Sequence, residues 1–459
     1  MSVRELVGRG VTAAIDGARA VRPATRAGER HFRTGLHFRH AALAWSDDQK
    51  RDWILRRLRE VARAAARETP FYRERFRAAG FDAEGPFTFD DYARLPVLER
   101  SDVQGHTDEM LSSQVPSQAR RKDGTGGSTG VPLAYFSGPR ERGWRISGQE
   151  HFMRLLGVPR GVSTAFLWGH HIDARERTEW RERVRDALTN RRWYDCFRLE
   201  PEILLAYHES MSRTRPMCLV AYASALDSLA TVLLERGLSA TYPQGRIVTG
   251  AEKLWPQQRA RIERAFPVPV HERYGSREIG LIGMQVAPEA SLAFEVDWAN
   301  LLVEPASDGE EGDLLVTKLN ADAMPMLRYR IGDVARFEPG SRQGQPALRL
   351  PEVFGRTLDR LHLPNGRWLH GVGIAHLMKD FPLREFQIRQ DTDYSLEVVV
   401  VPNAGYEPSH GDRILEVLAQ NLPGLRMHLT TAREIPRSGA NKWRPVHSLV
   451  AAPSHTPPQ

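Results

Sequence analysis

From residue 163 onward the chain alternates short apolar runs with longer amphipathic ones, and this alternation limits its fold more than any other feature. Strand-like runs fall at 163–168, 217–222, 246–249, 270–274 and 313–317, with helical patterns at 179–188, 201–212, 224–236 and 256–266. Strands that alternate with helices build a parallel sheet with helices packed on its faces, so the expected class is α/β with mostly parallel sheets. Residues 193–199 carry no clear period. Upstream, Ser46-Asp47-Asp48-Gln49 reads as a capping box opening a helix with Ile54, Leu58, Val61 and Ala65 on one face. A short helix follows over 71–79, stopped by Gly80, and the chain reads as helical to about residue 115. Composition shifts near 354–360. Beyond it, strand patterns at 385–389, 395–401 and 426–430 surround a helical one at 411–421. The expected organisation is a basic arm over 1–45, a large α/β domain over 46–356, a small α+β domain over 357–451 and a proline-rich tail over 452–459.

Composition removes several classes of function. The chain has 459 residues, 41% of them hydrophobic, which is enough for a large core. Its two cysteines, Cys196 and Cys218, cannot form a disulfide framework, so a reducing cytoplasm is expected. No apolar run approaches the roughly 20 residues needed to cross a bilayer. The formal charge of +7 is nearly all arginine, interleaved with acids, with no basic block carrying aromatics, so no nucleic-acid partner is expected. The first 40 residues are an exception, with Arg4, Arg9, Arg19, Arg22, Arg26, Arg30, Arg33 and Arg39 and few acids. Such an arm suits peripheral contact with an anionic membrane or docking on the body of the protein. Lysine is scarce, with six in the chain: Lys50, Lys122, Lys253, Lys318, Lys379 and Lys442. Where a compact ammonium is used in an arginine-rich chain, its position is informative.

Between the helical segment and the alternating region lies Gly124-Thr125-Gly126-Gly127-Ser128-Thr129-Gly130-Val131-Pro132. Glycines let backbone N–H groups converge on an anion, and the hydroxyls of Thr125, Ser128 and Thr129 add donors and a possible metal contact. The run lacks the lysine of a P-loop. It also matches G-x-S-x-G, the serine-hydrolase elbow, which should follow a buried apolar strand. A phosphate cradle, a surface loop and a hydrolase elbow therefore remain as readings of this stretch alone.

Further stretches follow in order: Thr249-Gly250-Ala251-Glu252, Tyr274-Gly275-Ser276-Arg277-Glu278, Arg328-Tyr329-Arg330-Ile331-Gly332-Asp333, Gly355-Arg356-Thr357-Leu358-Asp359 and Ser438-Gly439-Ala440-Asn441-Lys442. In this order the chain resembles the adenylate-forming (AMP-forming acyl-CoA synthetase) superfamily. More narrowly it resembles the phenylacetate–CoA ligase family, in its capsular-polysaccharide-biosynthesis-like branch. The form Thr-Gly-Gly-Ser-Thr-Gly-x-Pro and the run Glu385-Phe386-Gln387-Ile388-Arg389-Gln390 carry the narrower likeness.

The resemblance implies a large N-terminal α/β domain, a small mobile C-terminal α+β domain, and ligation through ATP, Mg²⁺ and CoA. It implies that Thr125, Gly126, Gly127, Ser128, Thr129 and Gly130 hold phosphates, with Thr129 also near Mg²⁺. Glu278 would bind Mg²⁺. Gly250, Ala251, Glu252, Tyr274, Gly275, Ser276 and Arg277 would frame the nucleotide, and Asp333 its ribose. Arg356 would contact ATP or AMP, Leu358 and Asp359 would form the hinge, and Lys442 would reach the α-phosphate. The expected acid is a small carboxylic acid, possibly aromatic, passed to CoA, a carrier-protein thiol, an amine or another nucleophile. Trp168, His170, His171, Tyr222 and Gly280 are candidates for its pocket. A homodimer is compatible with this reading. Four positions depart from the family pattern: Val131 stands where lysine is common, Arg277 where threonine is usual, Leu358 where an acid is common, and Asn441 where glycine precedes the lysine.

Overall fold

The computed structural model describes residues 23–124, 133–169, 184, 186–196, 198–356, 360–364, 368–370, 374, 377–378, 381–435 and 446–450. Its first helices are α1 (Pro23–Ala41), α2 (Asp47–Glu68), α3 (Pro70–Ala78), α4 (Phe89–Ala93) and α5 (Arg100–Gly105). The capping box at Ser46 forms as the sequence requires: Ser46 Oγ accepts from Gln49 N at 3.2 Å, and Gln49 Oε1 accepts from Ser46 N at 2.8 Å. Ile54, Leu58, Val61 and Ala65 of α2 are buried together, and Gly80 ends α3 region at φ 62°, a left-handed turn that glycine adopts without strain. Strands β1 (Arg121–Gly124) and β2 (Ala134–Ser137) pair antiparallel, and α6 (Pro139–Leu155) follows.

The alternating region then runs β3 (Thr164–Trp168), β4 (Arg191–Asp195), α7 (Pro201–Thr214), β5 (Cys218–Tyr222), α8 (Ala223–Glu235), β6 (Arg246–Gly250), α9 (Pro256–Ala265), β7 (Val270–Ser276), β8 (Gly280–Met284) and β9 (Phe294–Val296). After these come β10 (Leu301–Pro305), β11 (Glu311–Lys318), β12 (Tyr329–Arg336), β13 (Arg349–Leu350) and β14 (Glu352–Arg356). An eight-stranded sheet has the order β13-β9-β8-β7-β6-β5-β3-β4. It is parallel from β4 through β7 and antiparallel from β7 through β13, so the expected parallel character holds for one half of it. Strand β4 lies in the stretch whose sequence had no period. It is an edge strand, Arg191-Arg192-Trp193-Tyr194-Asp195, with Trp193 stacked on Phe166 at 4.2 Å. Helices α7, α8 and α9 bury Leu204, Leu226 and Ile262 in one core with Leu219 and Ile247 of the sheet. A second sheet has the order β10-β11-β12-β14, and a second core joins it to the first helices through Leu58, Tyr72, Tyr92, Leu302 and Val316. Cys196 and Cys218 are free and buried, and burial pushes both thiols up to about 12.

The remaining elements are the hairpin β15 (Arg360–His362) and β16 (Trp368–His370), then β17 (Leu383–Gln390), β18 (Leu396–Pro402), α10 (Pro408–Asn421), β19 (Met427–Thr431) and β20 (Val446–Ser448). Four of these strands form a sheet of order β19-β18-β17-β20. The buried amide of Gln390 ties it to the hairpin: Oε1 accepts from His362 N and Ser448 Oγ, both at 2.8 Å, and Nε2 donates to His362 O at 2.7 Å. The chain divides into two compact units, Met1–Ile331 with Ala335–Val353, and Gly332–Val334 with Phe354–Gln459.

The basic N-terminal segment is docked from Pro23 onward. Helix α1 lies along α6 because glycines at their contact leave room: a Cβ on Gly143 would fall 2.6 Å from Gly28 O, and one on Gly35 would fall 2.4 Å from Ser147 Oγ. Arg39, 3% exposed, then reaches Asp297 at 2.7 Å and Ser147 Oγ at 2.8 Å. Removing one partner of such a pair strands a buried charge, which costs about 3–5 kcal/mol. Arg39→Ala is therefore expected to lower unfolding stability by that amount in urea titration, while Arg39→Met with Asp297→Leu recovers a large part of the loss.

Candidate active site

In open α/β sheets the carboxyl edge of the parallel strands is where ligands gather, because loops and helix N-termini converge there. Here the register aligns the last residues of four strands. Leu167 pairs with Ala221, Tyr222 with Gly250, and Thr249 with Glu272, which sets Trp168, Tyr222, Gly250 and Arg273 in one row on one face. Trp168 and Tyr222 meet edge to face at 4.4 Å, and the Arg273 guanidinium lies over the Trp168 ring at 4.7 Å. Gly250 is the floor of this row. A Cβ there would stand 2.8 Å from both Cγ and Nε of Arg273, so only glycine leaves the arginine its place. Beyond it, Ala251 turns the chain at φ 67°. Glu252 Oε2 accepts from Ser224 N at 3.0 Å in the first turn of α8, an anion at a helix N-terminus. Leu254 N donates to Glu272 Oε1 at 2.9 Å, and Lys253 Nζ donates to Val353 O at the same distance. Burial raises the pKa of the Glu272 carboxyl.

The second part of the site is the turn between β7 and β8, where the sheet changes from parallel to antiparallel. A Cβ on Gly275 would fall 2.1 Å from Gly280 O, so this position admits glycine alone without displacement. Ser276 Oγ accepts from Ile279 N at 3.3 Å. The Arg277 carbonyl accepts from Tyr135 Oη and from an Arg145 guanidinium N–H, each at 2.7 Å, while the Arg277 side chain reaches Gly124 O at 3.4 Å. This fastening delivers Glu278, 4% exposed, and no other described residue hydrogen-bonds or salt-bridges its carboxylate. Behind the turn lies a buried ion pair, Lys318 Nζ to Glu141 at 2.9 Å, with Lys318 also over the Tyr135 ring at 5.5 Å. Burial lowers the Lys318 pKa, and Glu141 and Glu278 oppose that shift. Tyr274 is half-buried, its ring edge to face with Phe294 at 6.1 Å.

Comparisons with known proteins bear on the sequence and the fold. No protein-family model matches the chain. Protein CapK of Staphylococcus aureus is 25% identical over 275 residues, 58% of this chain and 59% of CapK, so the chain spans under two thirds of that relative. Phenylacetate–coenzyme A ligase of Pseudomonas putida is 23% identical over 330 residues, 69% of this chain and 72% of the ligase. Among solved structures, 2-hydroxyisobutyryl-CoA ligase with 2-HIB-AMP in the postadenylation state has the same fold, with a TM-score of 0.67 and 19% identity over 88% of this chain and 90% of the ligase. The chain is thus similar in sequence to phenylacetate–CoA ligases and shares the fold of an AMP-forming CoA ligase.

Several residues singled out by family likeness fall outside the described residues: Thr125 to Gly130, His170, His171, Leu358, Asp359 and Lys442. The glycine run that contains Ser128 joins β1 and β2, two adjacent antiparallel strands, and β1 is solvent-exposed. A hydrolase elbow needs a buried strand before it and a helix after it, so that reading fails. Asp333 is 8% exposed on β12, and Arg356 ends β14. Gly280, taken from sequence as a pocket candidate, begins β8 at φ 97° against Arg145. It is not in the row of Trp168 and Tyr222. Arg273, Glu141, Lys318 and Tyr135 were missed by sequence reading because charged residues on strands and helices read as solvated faces. The one available signal was Lys318 itself, a lysine in a chain that otherwise uses arginine. Among the described residues no cluster of three or more His, Cys, Asp or Glu side chains could hold a metal by itself.

The steric argument at the β7–β8 turn is open to a direct test. Gly275→Ala is expected to destabilise the fold by about 1–3 kcal/mol, the usual cost of overpacking. Gly312→Ala, whose Cβ would lie 3.7 Å from Ser307 Oγ, is the control and should be near neutral. Matched denaturation midpoints for the two variants would contradict the close approach.

Proposed function

We propose that this chain is an AMP-forming ligase that activates a carboxylic acid with ATP and passes the acyl group to CoA. The observation that carries the reading is Glu278, a carboxylate buried by the Tyr-Gly turn with no protein partner among the described residues, in a chain similar in sequence to phenylacetate–CoA ligases. Such a group suits a hard cation, and Glu278 with substrate phosphate oxygens would hold Mg²⁺. When bound, the ion would offset charge on the phosphates. The glycine run would supply N–H donors to the same phosphates, and the Thr129 hydroxyl would be a further ligand for the metal. Tyr274 stacks on adenine across Gly250-Ala251-Glu252, and Asp333 accepts from the ribose hydroxyls. The acid's carboxylate oxygen attacks the α-phosphorus, the bond to the bridging oxygen breaks, and pyrophosphate leaves. The acyl–AMP so formed is attacked at its acyl carbon by a thiolate, and AMP leaves. Arg356 and Lys442 supply positive charge to the first step. Among the described residues no helix is long and apolar enough to cross a membrane. We place the reaction in the cytoplasm, with ATP and CoA.

Pyrophosphate release across a panel of acids, with and without CoA, tests the reading. Glu278→Ala is expected to lose release by at least about two orders of magnitude, the scale of removing a key electrostatic contact. Wild-type rates in that variant would remove Glu278 from the site. Lys442→Ala should lose adenylation but still transfer the acyl group from synthetic acyl–AMP to the thiol, because only the first step develops charge on phosphorus. Equal loss of both half-reactions would defeat the role given to Lys442. Pyrophosphate release without consumption of CoA would assign the acyl group to another acceptor.

A further inference from the structure

Arg273 stands apart from the other buried cations of this protein. Arg39 meets Asp297, Lys318 meets Glu141, and Arg328 meets Glu304, each at 3.3 Å or less. Arg273 has no hydrogen bond or ion pair to any described residue; its contacts are the Trp168 ring and the bare backbone of Gly250. Burial lowers its pKa, and no carboxylate of the described residues is among the groups that oppose that shift. It keeps partial contact with solvent. Withdrawing an ion from water costs several kcal/mol, whereas a desolvated cation–π contact returns about 2 kcal/mol. The indole does not offset the cost. No described residue supplies an anion to it.

The surroundings say what else that anion must carry. The face of the sheet that bears Arg273 is covered by α6, and the two enclose an apolar cluster of Phe152, Cys218, Val220, Val248 and Met284, with Trp168 packed at its border. A guanidinium beside a packed apolar cluster, with its planar fork bonded to no described residue, suits a carboxylate bound through two N–H groups. Trp168 fixes the plane of the fork, and Gly250 leaves it room.

On the reading that this edge activates an acid, we infer that the acid is a dicarboxylate: one carboxylate is adenylated and the second is bound by Arg273. Gly250 and Trp168 are positioning residues for that contact.

The test uses matched pairs, namely terephthalate against 4-toluate, adipate against hexanoate, and glutarate against valerate. The parent protein is expected to release pyrophosphate with a higher kcat/KM for the dicarboxylate of a pair. In Arg273→Met the ratio of dicarboxylate to monocarboxylate should fall about 10- to 100-fold, the range of a lost hydrogen bond to a charged group. Arg273→Lys, which keeps the charge without the fork, should fall in between. A parent protein without preference in any pair, or an Arg273→Met variant that keeps the ratio, overturns the inference. Binding is read separately from chemistry by the component of tryptophan fluorescence that Trp168→Phe removes. If no acid releases pyrophosphate, the ligase reading fails by itself. The fluorescence titration then decides on Arg273: a response to the dicarboxylates that Arg273→Met abolishes supports the anion site, and equal responses to both members of each pair reject it.

Discussion

The close approach of Gly275 to the Gly280 carbonyl is the constraint on which the candidate site depends. Strand β7 pairs in parallel with β6 on one side and antiparallel with β8 on the other, so the chain must reverse at once where the parallel half ends. A side chain at 275 would widen that reversal. The register shifts between Tyr274 and Gly275, and the turn that results carries Arg277 outward and Glu278 inward. The Arg277 carbonyl, held by Tyr135 and Arg145, stops the turn from relaxing. Glu278 is therefore positioned by backbone, not by partners of its own side chain, and its oxygens remain free for a ligand.

Elsewhere the fold spends its charges on itself. Arg328 illustrates the pattern: it is fully buried, held in a left-handed conformation at φ 53°, and donates to Glu304, to the carbonyls of Ala93 and Leu95, and to Gln343. Glu304 in turn accepts from the Gly344 amide, and burial raises its pKa. Buried pairs of this kind add little net stability over apolar residues of the same volume, but breaking one is costly. Their effect is to fix register between distant segments: Arg39 with Asp297, Lys318 with Glu141, and Arg328 with Glu304 each join elements far apart in sequence.

This explains what could and could not be read from sequence. The parallel strands, their helices and the capping box were legible because burial imposes a period on apolar residues, and Ile54, Leu58, Val61 and Ala65 are buried as that period requires. Trp168 and Tyr222 were legible as strand ends, and the register brings them together. Strand β4 was not, because its arginines and Asp195 interrupt any apolar period, and its aromatic contacts, Trp193 on Phe166 and Tyr194 on Tyr207, appear only in the fold. Glu252 was read as a nucleotide contact by likeness. Its carboxylate also caps α8 through Ser224, a use that depends on two segments 28 residues apart meeting at one edge. Arg273 and Lys318 were illegible for a related reason. A charge in a sequence looks the same whether it ends in water or under a ring.

Arg273 and Glu278 are close in sequence and opposite in charge, and in solution such a pair would neutralise itself. The fold prevents this. Arg273 lies on the strand face shared with Trp168 and Tyr222, with its guanidinium over the Trp168 ring. Glu278 lies past the reversal, where its field acts on Tyr135 and Lys318. One pleat and one glycine turn thus hold two unpaired charges apart inside the same edge of the sheet. Each loses part of its hydration, Glu278 more than Arg273, which keeps partial contact with solvent. A ligand carrying a cation to one and an anion to the other would offset that cost on the function proposed above. Stability lost at such positions has to be supplied by the rest of the molecule, and the two apolar cores and the paired charges behind the turn supply it.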